Sequence, residues 1–342
     1  MTYAPRHIAT DRRPLRTHGL APDAGDIAAL DRPLISIVVP VKNEQEAIAA
    51  FIARVAPLLA TVAAGEGWEI LFIDDGSSDD TLAAILAAHV AEPRIRALSL
   101  SRNFGKEAAL SAGLDHALGD AVVPMDVDMQ DPPEVLAAMV AKWREGYDMV
   151  LGVRRSRSSD PLPKRLTANL FYRAHNLISP TSIPENAGDF RLLDRKVVAA
   201  IRALPERNRV MKGLFSWAGF KQASVEYDRA PRTVGSTKFN YWRLWTLALD
   251  SITASSTAPL RVWSYVGAIV ALFSLGYAGF IIFHTLFLGA AVPGYASLIV
   301  SVLFLGGVQL ISLGVLGEYV GRILTETKQR PLYVVRDSIG LP

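Results

Sequence analysis

The chain has 342 residues and a mass of 37.1 kDa, which is long enough for about two structural units. It contains no cysteine, which excludes a disulfide framework, a thiol nucleophile and a cysteine-ligated zinc site. Its net charge of +3 is too small to indicate a nucleic-acid partner, and its histidines lack the spacing of a metal motif.

The first 32 residues contain prolines and scattered charged residues but no continuous apolar run. A secretory signal peptide needs an apolar core of about 7–15 residues, so none is predicted here. We expect residues 1–32 to form a disordered extension in the cytosol.

Five short runs rich in Val, Ile and Leu come next, with amphipathic stretches of helical length between them. Continuous apolar runs are typical of buried parallel strands, and their alternation with helices predicts βαβ units. We therefore predict an open α/β sheet inside a folded unit that spans residues 33–238. The predicted strands are Leu34–Val39, Glu69–Ile73, Ile95–Leu100, Ala121–Met125 and Asp148–Val153.

Two helix starts in this unit carry capping signals. Asn43 followed by Glu46 has the spacing of a capping box, in which two side chains bond the free amides of the first turn. Asp131 precedes two prolines and Glu134, which is typical of a cap and the first turn after it. We predict that Asn43 and Asp131 cap the helices that follow them.

Residues 239–260 are rich in aromatic side chains and nearly uncharged, with Tyr241, Trp242 and Trp245 among them. This composition favours an amphipathic helix that lies in a membrane interface. The alternative is a helix that packs on the preceding folded unit.

The apolar residues of the chain are concentrated in residues 262–317, which contain no Asp, Glu, Lys or Arg. Two spans, 263–288 and 296–323, flank a turn at Gly294. About 25 helical residues reach about 37 Å, which is enough for a hydrocarbon core of about 30 Å. Basic residues lie outside the pair and none lies in the turn, so both ends are expected in the cytoplasm. We predict a transmembrane hairpin over residues 261–325 and a cytoplasmic tail over residues 326–342; the alternative is a buried soluble hairpin.

Aromatic residues near the ends of these spans have the positions of an interfacial belt. They are Trp263, Tyr265, Tyr319 and Tyr333. We expect all four at the membrane surface.

Polar sequence follows four of the predicted strands. In an open α/β sheet, ligands bind outside the carboxyl ends of the strands. Each segment taken alone also fits a turn, a helix cap or a solvated edge, but four at one edge predict a binding site. The segments are Pro40–Glu44, Asp74–Ser78, Ser101–Lys106 and Asp126–Asp131.

Asp126 and Asp128 give the most specific signal in these segments, because only one residue separates the two carboxylates at the end of a predicted strand. A divalent cation relieves the repulsion of two such carboxylates, and Mg²⁺ and Mn²⁺ prefer oxygen ligands. Gln130 offers a further oxygen to the ion or to a water bound to it. No dinucleotide or phosphate-loop fingerprint follows any strand, so a nucleotide would be bound in another way.

The ordered motifs resemble glycosyltransferase family 2 enzymes with a GT-A fold, in the polyisoprenyl-phosphate glycosyltransferase branch. Within that branch they are most similar to the bactoprenol glucosyl transferases of the O-antigen glucosylation type, which are related to dolichol-phosphate mannose synthase. The resemblance covers about residues 34–335. The segments that carry it are Val39–Glu44, Phe72–Ser77, Ser101–Ala109, Asp126–Pro133, Gly188–Asp194, Leu305–Gln309 and Gly317–Tyr319.

This resemblance implies an inverting hexosyltransferase that moves glucose from UDP-glucose to undecaprenyl phosphate on the cytoplasmic face of the bacterial inner membrane. It assigns the metal, Mg²⁺ or Mn²⁺, to Asp126, Asp128 and Gln130. The residues that it assigns to the nucleotide sugar are Pro40, Asn43, Glu44, Asp75, Lys106 and Asp126.

Arg154, with Lys164 or Arg165, resembles the cationic positions that bind the lipid phosphate; the alternative is a solvated or lipid-facing basic surface. Asp128 and Asp189 are the catalytic candidates, and Asp189 matches the position usually proposed as the base. The acceptor phosphate is already an anionic nucleophile at neutral pH. Positioning of the acceptor or the sugar is therefore an equal alternative for Asp189.

The sequence is also compatible with other functions. The transferred sugar is alternatively mannose, galactose, N-acetylglucosamine or an aminoarabinose derivative, and a less favoured reading is a non-catalytic membrane component of glycan export. The absence of a Q-x-x-R-W motif disfavours a processive polysaccharide synthase. We expect no nucleic-acid partner and leave a homo-oligomer open.

Overall fold

A computed structural model describes residues 35–63, 65–155, 187–228 and 294–341, together with individual helical positions between 265 and 287. The predicted extension (1–32), the predicted interfacial helix (239–260) and the residues Lys164, Arg165 and Trp263 lie outside the described residues.

The described residues form eight strands and seven helices beside the individual positions of the first predicted span. The strands are β1 (Ile35–Val41), β2 (Trp68–Asp74), β3 (Ile95–Leu100), β4 (Ala121–Pro124), β5 (Met149–Arg154), β6 (Ala187–Asp194), β7 (Gln222–Tyr227) and β8 (Val335–Ile339). The helices are α1 (Gln45–Val62), α2 (Thr81–Ala91), α3 (Lys106–His116), α4 (Val135–Arg144), α5 (Arg195–Arg202), α6 (Met211–Trp217) and α7 (Tyr295–Lys328).

All eight strands belong to one sheet in the order β7-β5-β6-β4-β1-β2-β3-β8. Strands β4, β1, β2 and β3 run parallel, with β1 paired to both β2 and β4. Strand β6 is antiparallel to β4 and β5, and β8 is antiparallel to β3. The predicted open α/β sheet and its five apolar strands are confirmed, and β6 and β8 make it a mixed sheet.

The core lies on both faces of this sheet because side chains alternate along each buried strand. Ile37 and Val39 pack on one face with apolar residues of α1, α2 and α4, where the rings of Phe51 and Phe72 meet edge to face at 5.9 Å. Val38 packs on the other face with residues of α3, α5 and α6. Burial on both faces explains why these strands appear in the sequence as continuous apolar runs.

Both predicted caps are wrong in the structure. Helix α1 begins at Gln45 with Glu44 at its N-cap, and the Asn43 side chain accepts a hydrogen bond from the Ser78 amide instead. Helix α4 begins at Val135, and the Asp131 carboxylate accepts a hydrogen bond from the Tyr227 hydroxyl. Tertiary partners take the side chains that the local pattern assigned to helix ends.

The C-terminal residues differ from the predicted tail, because they form the edge strand of the sheet. Strand β8 pairs with β3, and the Val334 carbonyl accepts a hydrogen bond from the Ser101 amide. Tyr333 donates a hydrogen bond from its hydroxyl to Asp115 at 2.8 Å and packs against His116. Tyr333 therefore belongs to the folded unit and not to an aromatic belt in the membrane.

Helix α7 contains the second predicted span and presents an apolar surface to its surroundings. Its segment Phe304–Lys328 is long and apolar enough to cross a membrane. Helix α1 is also long and apolar, but its apolar side chains are buried against the sheet. Large apolar side chains are instead exposed on α7 and at the described positions of the first span: Tyr265, Phe273, Phe287, Leu298, Phe304, Leu310, Leu313 and Ile323. Exposed apolar surface of this extent indicates contact with lipid.

Candidate active site

The loops after β1 and β2 are joined into one surface at the carboxyl edge of the sheet. Asn43 takes a left-handed conformation, with φ of 55°, so that its side-chain oxygen accepts from the Ser78 amide at 2.8 Å. The Asn43 amide donates to the Ser77 hydroxyl, and the Glu44 amide donates to the Thr81 hydroxyl. The residues of the first loop that are predicted to bind the nucleotide sugar therefore lie beside those of the second loop.

Asp75 is buried and organises the loop that leads into α3. Its two carboxylate oxygens accept hydrogen bonds from the Phe104 amide at 2.7 Å and the Gly105 amide at 2.9 Å. These bonds fix the position of Lys106, the first residue of α3. A direct contact of Asp75 with a nucleotide stays a prediction, and its observed role is to position the loop.

Gly76 allows the loops after β2 and β3 to approach each other. Its φ is +68°, and a Cβ atom there would lie 2.6 Å from the Arg102 carbonyl carbon and 2.8 Å from the Asn103 nitrogen. Only glycine fits both the left-handed backbone and the close approach.

Lys106 lies at the centre of a charged cluster that joins β4 to β6. Its Nζ atom lies 2.6 Å from a carboxylate oxygen of Asp126 and 3.2 Å from one of Asp189. Lys212, on α6, approaches the other Asp189 oxygen at 3.9 Å. Four segments of the chain thus place two cations and two carboxylates together.

The charges of this cluster hold Asp189 and Lys106 ionised. Burial by itself raises the pKa of the Asp189 carboxyl, but the charges of Lys212 and Lys106 outweigh it and hold that pKa below 3.8. Burial by itself lowers the pKa of the Lys106 ammonium, but the charges of Asp126 and Asp189 outweigh it and hold that pKa well above 10.5. At neutral pH, Asp189 is a carboxylate and Lys106 is a cation.

The segment after β4 presents its polar side chains on one side. Asp126, Asp128 and Gln130 are half-buried, whereas the residues between them face the core. A turn closed by a hydrogen bond from the Met129 amide to the Asp126 carbonyl, with Met129 at φ of 51°, follows the strand. The Gln130 amide donates to Asp128 Oδ1 at 3.1 Å.

This donor set fits a hard divalent cation. Asp126, Asp128 and Gln130 offer carboxylate and amide oxygens, which are the ligands that Mg²⁺ and Mn²⁺ take. Among the described residues no group of three His, Cys, Asp or Glu forms a metal site. A site with two carboxylates is typical of Mg²⁺ that completes its coordination with substrate phosphates and water.

Arg154 lies at the end of β5, beside the buried side chains of Asp131 and Tyr227. Its guanidinium is 3.6 Å from the Asp131 carboxylate and 3.4 Å from the Tyr227 hydroxyl, which itself donates to Asp131. Burial, and then the Asp131 charge, raises the pKa of the Tyr227 phenol. Arg154 is thus held near the segment Asp126–Asp131, and its predicted contact with a lipid phosphate stays a prediction.

Three residues of this region are not among the predicted site residues. Lys212 contacts Asp189, Tyr227 bonds to Asp131, and the Glu107 carboxylate accepts a hydrogen bond from the Met211 amide at 3.0 Å. Burial raises the pKa of the Glu107 carboxyl. Lys212 lies in the segment Arg209–Gly213, which resembles a segment of the family, whereas Tyr227 lies on a strand with no apolar run.

Comparison with known proteins identifies the family of this chain. The family model described as Glycosyl transferase family 2 matches residues 36–202, and the GtrB C-terminal hairpin model matches residues 258–323. The prophage bactoprenol glucosyl transferase homolog of Escherichia coli (strain K12) is 53% identical over 88% of this chain and 98% of its own length. The bactoprenol glucosyl transferase of Shigella phage SfII is 54% identical over 89% of this chain and 98% of its own length.

A solved structure of glucosyl-3-phosphoglycerate synthase from Mycobacterium tuberculosis, in complex with Mg²⁺ and uridine diphosphate, is similar at a TM-score of 0.45 and 22% identity. That likeness covers 67% of this chain and 80% of the other, and it is too distant to support an argument about ligands. The family assignment rests on the sequence relatives and on the two matched models. This chain belongs to glycosyltransferase family 2 and carries a C-terminal hairpin of the GtrB type.

Proposed function

We propose that this membrane enzyme transfers glucose from UDP-glucose to undecaprenyl phosphate, with inversion at the anomeric carbon, on the cytoplasmic face of the bacterial inner membrane. The observation that carries the proposal is the 53–54% identity to bactoprenol glucosyl transferases over 98% of their length. Bactoprenol is undecaprenol, so a lipid phosphate is the acceptor that these relatives imply.

The charged cluster supports the donor half of this reaction. Asp126, Asp128 and Gln130 would hold Mg²⁺ or Mn²⁺, which supplies Lewis-acid stabilisation of the departing diphosphate. Lys106 adds a fixed cation beside the same segment, at 2.6 Å from Asp126. The joined loops after β1 and β2 offer Pro40, Asn43 and Glu44 to the nucleotide at the adjoining edge of the sheet.

The acceptor half depends on positive charge at the same edge. A phosphate monoester is an anionic nucleophile, and it approaches a diphosphate only where cations offset the repulsion. Lys106, Lys212 and Arg154 supply that charge, and Lys164 and Arg165 are proposed to extend it. Ionised Asp189 bridges Lys106 and Lys212, so we assign it the positioning of the acceptor or sugar and not the removal of a proton.

The membrane hairpin gives this arrangement its geometry. Undecaprenyl phosphate stays in the bilayer, whereas the nucleotide sugar is soluble in water, so the two substrates meet at the membrane surface. The exposed apolar side chains of α7 supply the anchor that holds the catalytic unit there. We propose a multi-pass topology with the catalytic unit and both termini in the cytoplasm.

A transfer assay tests the proposal. The purified full chain is reconstituted in vesicles that contain undecaprenyl phosphate and is given Mg²⁺ with one radiolabelled donor at a time: UDP-glucose, UDP-galactose, UDP-N-acetylglucosamine or GDP-mannose. We expect label in the organic phase from UDP-glucose only, a β linkage in the product, and loss of transfer after EDTA that excess Mg²⁺ or Mn²⁺ restores. No transfer from any donor would overturn the enzyme proposal, whereas transfer from another donor alone would overturn only the sugar.

A further inference from the structure

Helix α7 continues beyond the bilayer and reaches the catalytic unit. Its 34 residues extend about 51 Å, against a hydrocarbon core of about 30 Å. Near its C-terminal end, Glu326 is half-buried whereas the residues on either side of it are exposed. The Glu326 carboxylate accepts hydrogen bonds from the amides of Arg207 at 2.9 Å and Asn208 at 3.1 Å.

A carboxylate at this place on a helix requires compensation. The last turn of a helix carries a partial negative charge, so an acidic side chain there is unfavourable and a basic one is favoured. Two consecutive backbone amides of another segment offset that repulsion for Glu326. This contact therefore depends on the approach of α7 to the loop that contains Arg207 and Asn208.

The end of α7 is also held on its other side. After Lys328 the chain turns at Gln329, in a left-handed conformation, and enters β8 at the edge of the sheet. Tyr333 bonds to Asp115 on α3 in between. The end of α7 thus contacts the 207–208 loop and is joined by a short turn to strand β8.

The 207–208 loop leads directly to the active site. The Arg209 guanidinium braces it by donating to the carbonyls of Leu204 at 2.7 Å and Glu206 at 3.1 Å. Helix α6 starts at Met211, whose amide bonds to Glu107, the neighbour of Lys106. The next residue, Lys212, faces Asp189 at 3.9 Å.

We propose that Glu326 is a positioning residue that couples membrane helix α7 to the acceptor side of the active site through residues 207–212. It holds the loop that sets the position of Lys212 relative to Asp189, and so ties the placement of the cation to the placement of the protein in the bilayer. The coupling rests on the proposed transfer to a lipid phosphate for its functional meaning. The contact itself does not.

Hydrogen exchange of the reconstituted full chain tests the contact independently of activity. In Glu326→Ala, we expect amides of residues 205–217 to exchange at least tenfold faster, whereas those of 335–339 stay protected and report an intact sheet. Glu326→Gln, which keeps one acceptor oxygen, should show a smaller increase. The control Glu318→Gln removes a carboxylate that is exposed on the same helix and pairs with Arg322, and it should leave exchange unchanged. Unchanged exchange in Glu326→Ala and Glu326→Gln would overturn the contact.

Kinetics test the coupling. With undecaprenyl phosphate in vesicles, Glu326→Ala should lower kcat about tenfold and leave the KM for UDP-glucose within twofold, because the donor loops lie on other strands. In a Lys212→Met background the same change should lower kcat less than twofold, because residues that act through each other are not additive. An equal loss in both backgrounds, or a wild-type kcat in Glu326→Ala, would overturn the coupling. Lack of transfer by the wild-type chain would instead overturn the proposed function and leave the exchange result standing.

Discussion

Asp128 is the residue whose replacement tests the metal site most directly. Asp126 also forms an ion pair with Lys106, so its replacement would disturb two interactions. In Asp128→Asn the side-chain oxygen still accepts a hydrogen bond from the backbone amide of Gln130, and only the charge is lost. We expect transfer to fall by about 100-fold or more, because Lewis-acid stabilisation is worth several kcal/mol. Radiolabel transfer measures the loss, and an unchanged thermal midpoint shows that the variant is folded.

The matched control for that variant is Glu145→Gln, which removes an exposed carboxylate that pairs with Lys142 at the end of α4. Its transfer rate should equal that of the wild-type chain. Wild-type turnover in Asp128→Asn would remove Asp128 from the metal site.

The pKa shifts of Asp189 and Lys106 keep both groups charged around neutral pH. The pKa of Asp189 lies below 3.8, so its pairing stabilises the fold above pH 3.8 and is lost only as the pH falls through the folded value. The pKa of Lys106 lies above 10.5, so its contribution is complete below pH 10.5 and is lost as the pH rises through the folded value. Neither group titrates between about pH 5 and 9.

The pH profile of kcat therefore separates the two roles of Asp189. We expect an acid limb near pH 6 from the second ionisation of the acceptor phosphate, whose pKa is about 6. Asp189→Asn should lower the plateau and leave that limb in place. Loss or displacement of the limb in this variant would show that Asp189 titrates as the base.

A local pattern accounts for the placement of some predicted site residues, whose roles stay predictions. Asp126, Asp128 and Gln130 alternate in sequence, and this alternation by itself puts them on one side of the chain. Lys106 was predicted at the site, but its bridge to Asp189 depends on the antiparallel placement of β6 beside β4. Asp75 shows the opposite case, since its carboxylate binds backbone amides that no sequence pattern specifies.

At the scale of elements, the close approach of the loops after β2 and β3 can be tested with alanine variants of two glycines. Gly76→Ala places a Cβ atom 2.6 Å from backbone in a left-handed conformation, whereas Gly65 has a similar φ of +88° and open space around it. In both variants an alanine takes an unfavourable left-handed conformation, but only in Gly76→Ala does the added Cβ atom also overlap with neighbouring backbone atoms. We expect Gly76→Ala to lose about 1–3 kcal/mol more unfolding free energy than Gly65→Ala, measured by denaturant titration. Equal losses would contradict the close approach.

Strands β6, β7 and β8 were not predicted, for a common reason. Strand β7 alternates between exposed and half-buried side chains, β8 is largely exposed, and β6 carries Asp189 and Arg191 in its middle. Edge strands and site-bearing strands lack the continuous apolar run of a strand that is buried on both faces. Their place in the sheet follows from pairing partners that are distant in sequence.

At the scale of the whole molecule, the sheet constrains the membrane topology. Strands β7 and β8 belong to one sheet, so the chain between Tyr227 and Val335 begins and ends on the same side of the bilayer. It therefore crosses the membrane an even number of times. We propose that α7 makes one crossing, so a second crossing would precede it, which the predicted span 263–288 would supply.

A reporter inserted next to Gly294 tests this topology. We expect periplasmic labelling there, because this residue precedes α7 at the end opposite to the one that enters the sheet. A reporter fused after Pro342 serves as the control and should be cytoplasmic, on the side of the catalytic unit. Cytoplasmic labelling at Gly294 would rule out the hairpin.

Local patterns in the sequence determined the buried strands, the apolar span of α7 and the polar segments at the strand ends, because burial and alternation are properties of neighbouring residues. Tertiary structure alone decided that Lys106 bridges Asp126 and Asp189, that the C-terminal residues close the sheet, and that Glu326 contacts the 207–208 loop. Each of these contacts joins segments far apart in the chain. The free energy of these contacts depends on the tertiary packing that brings the segments together, and a local sequence pattern does not determine that packing.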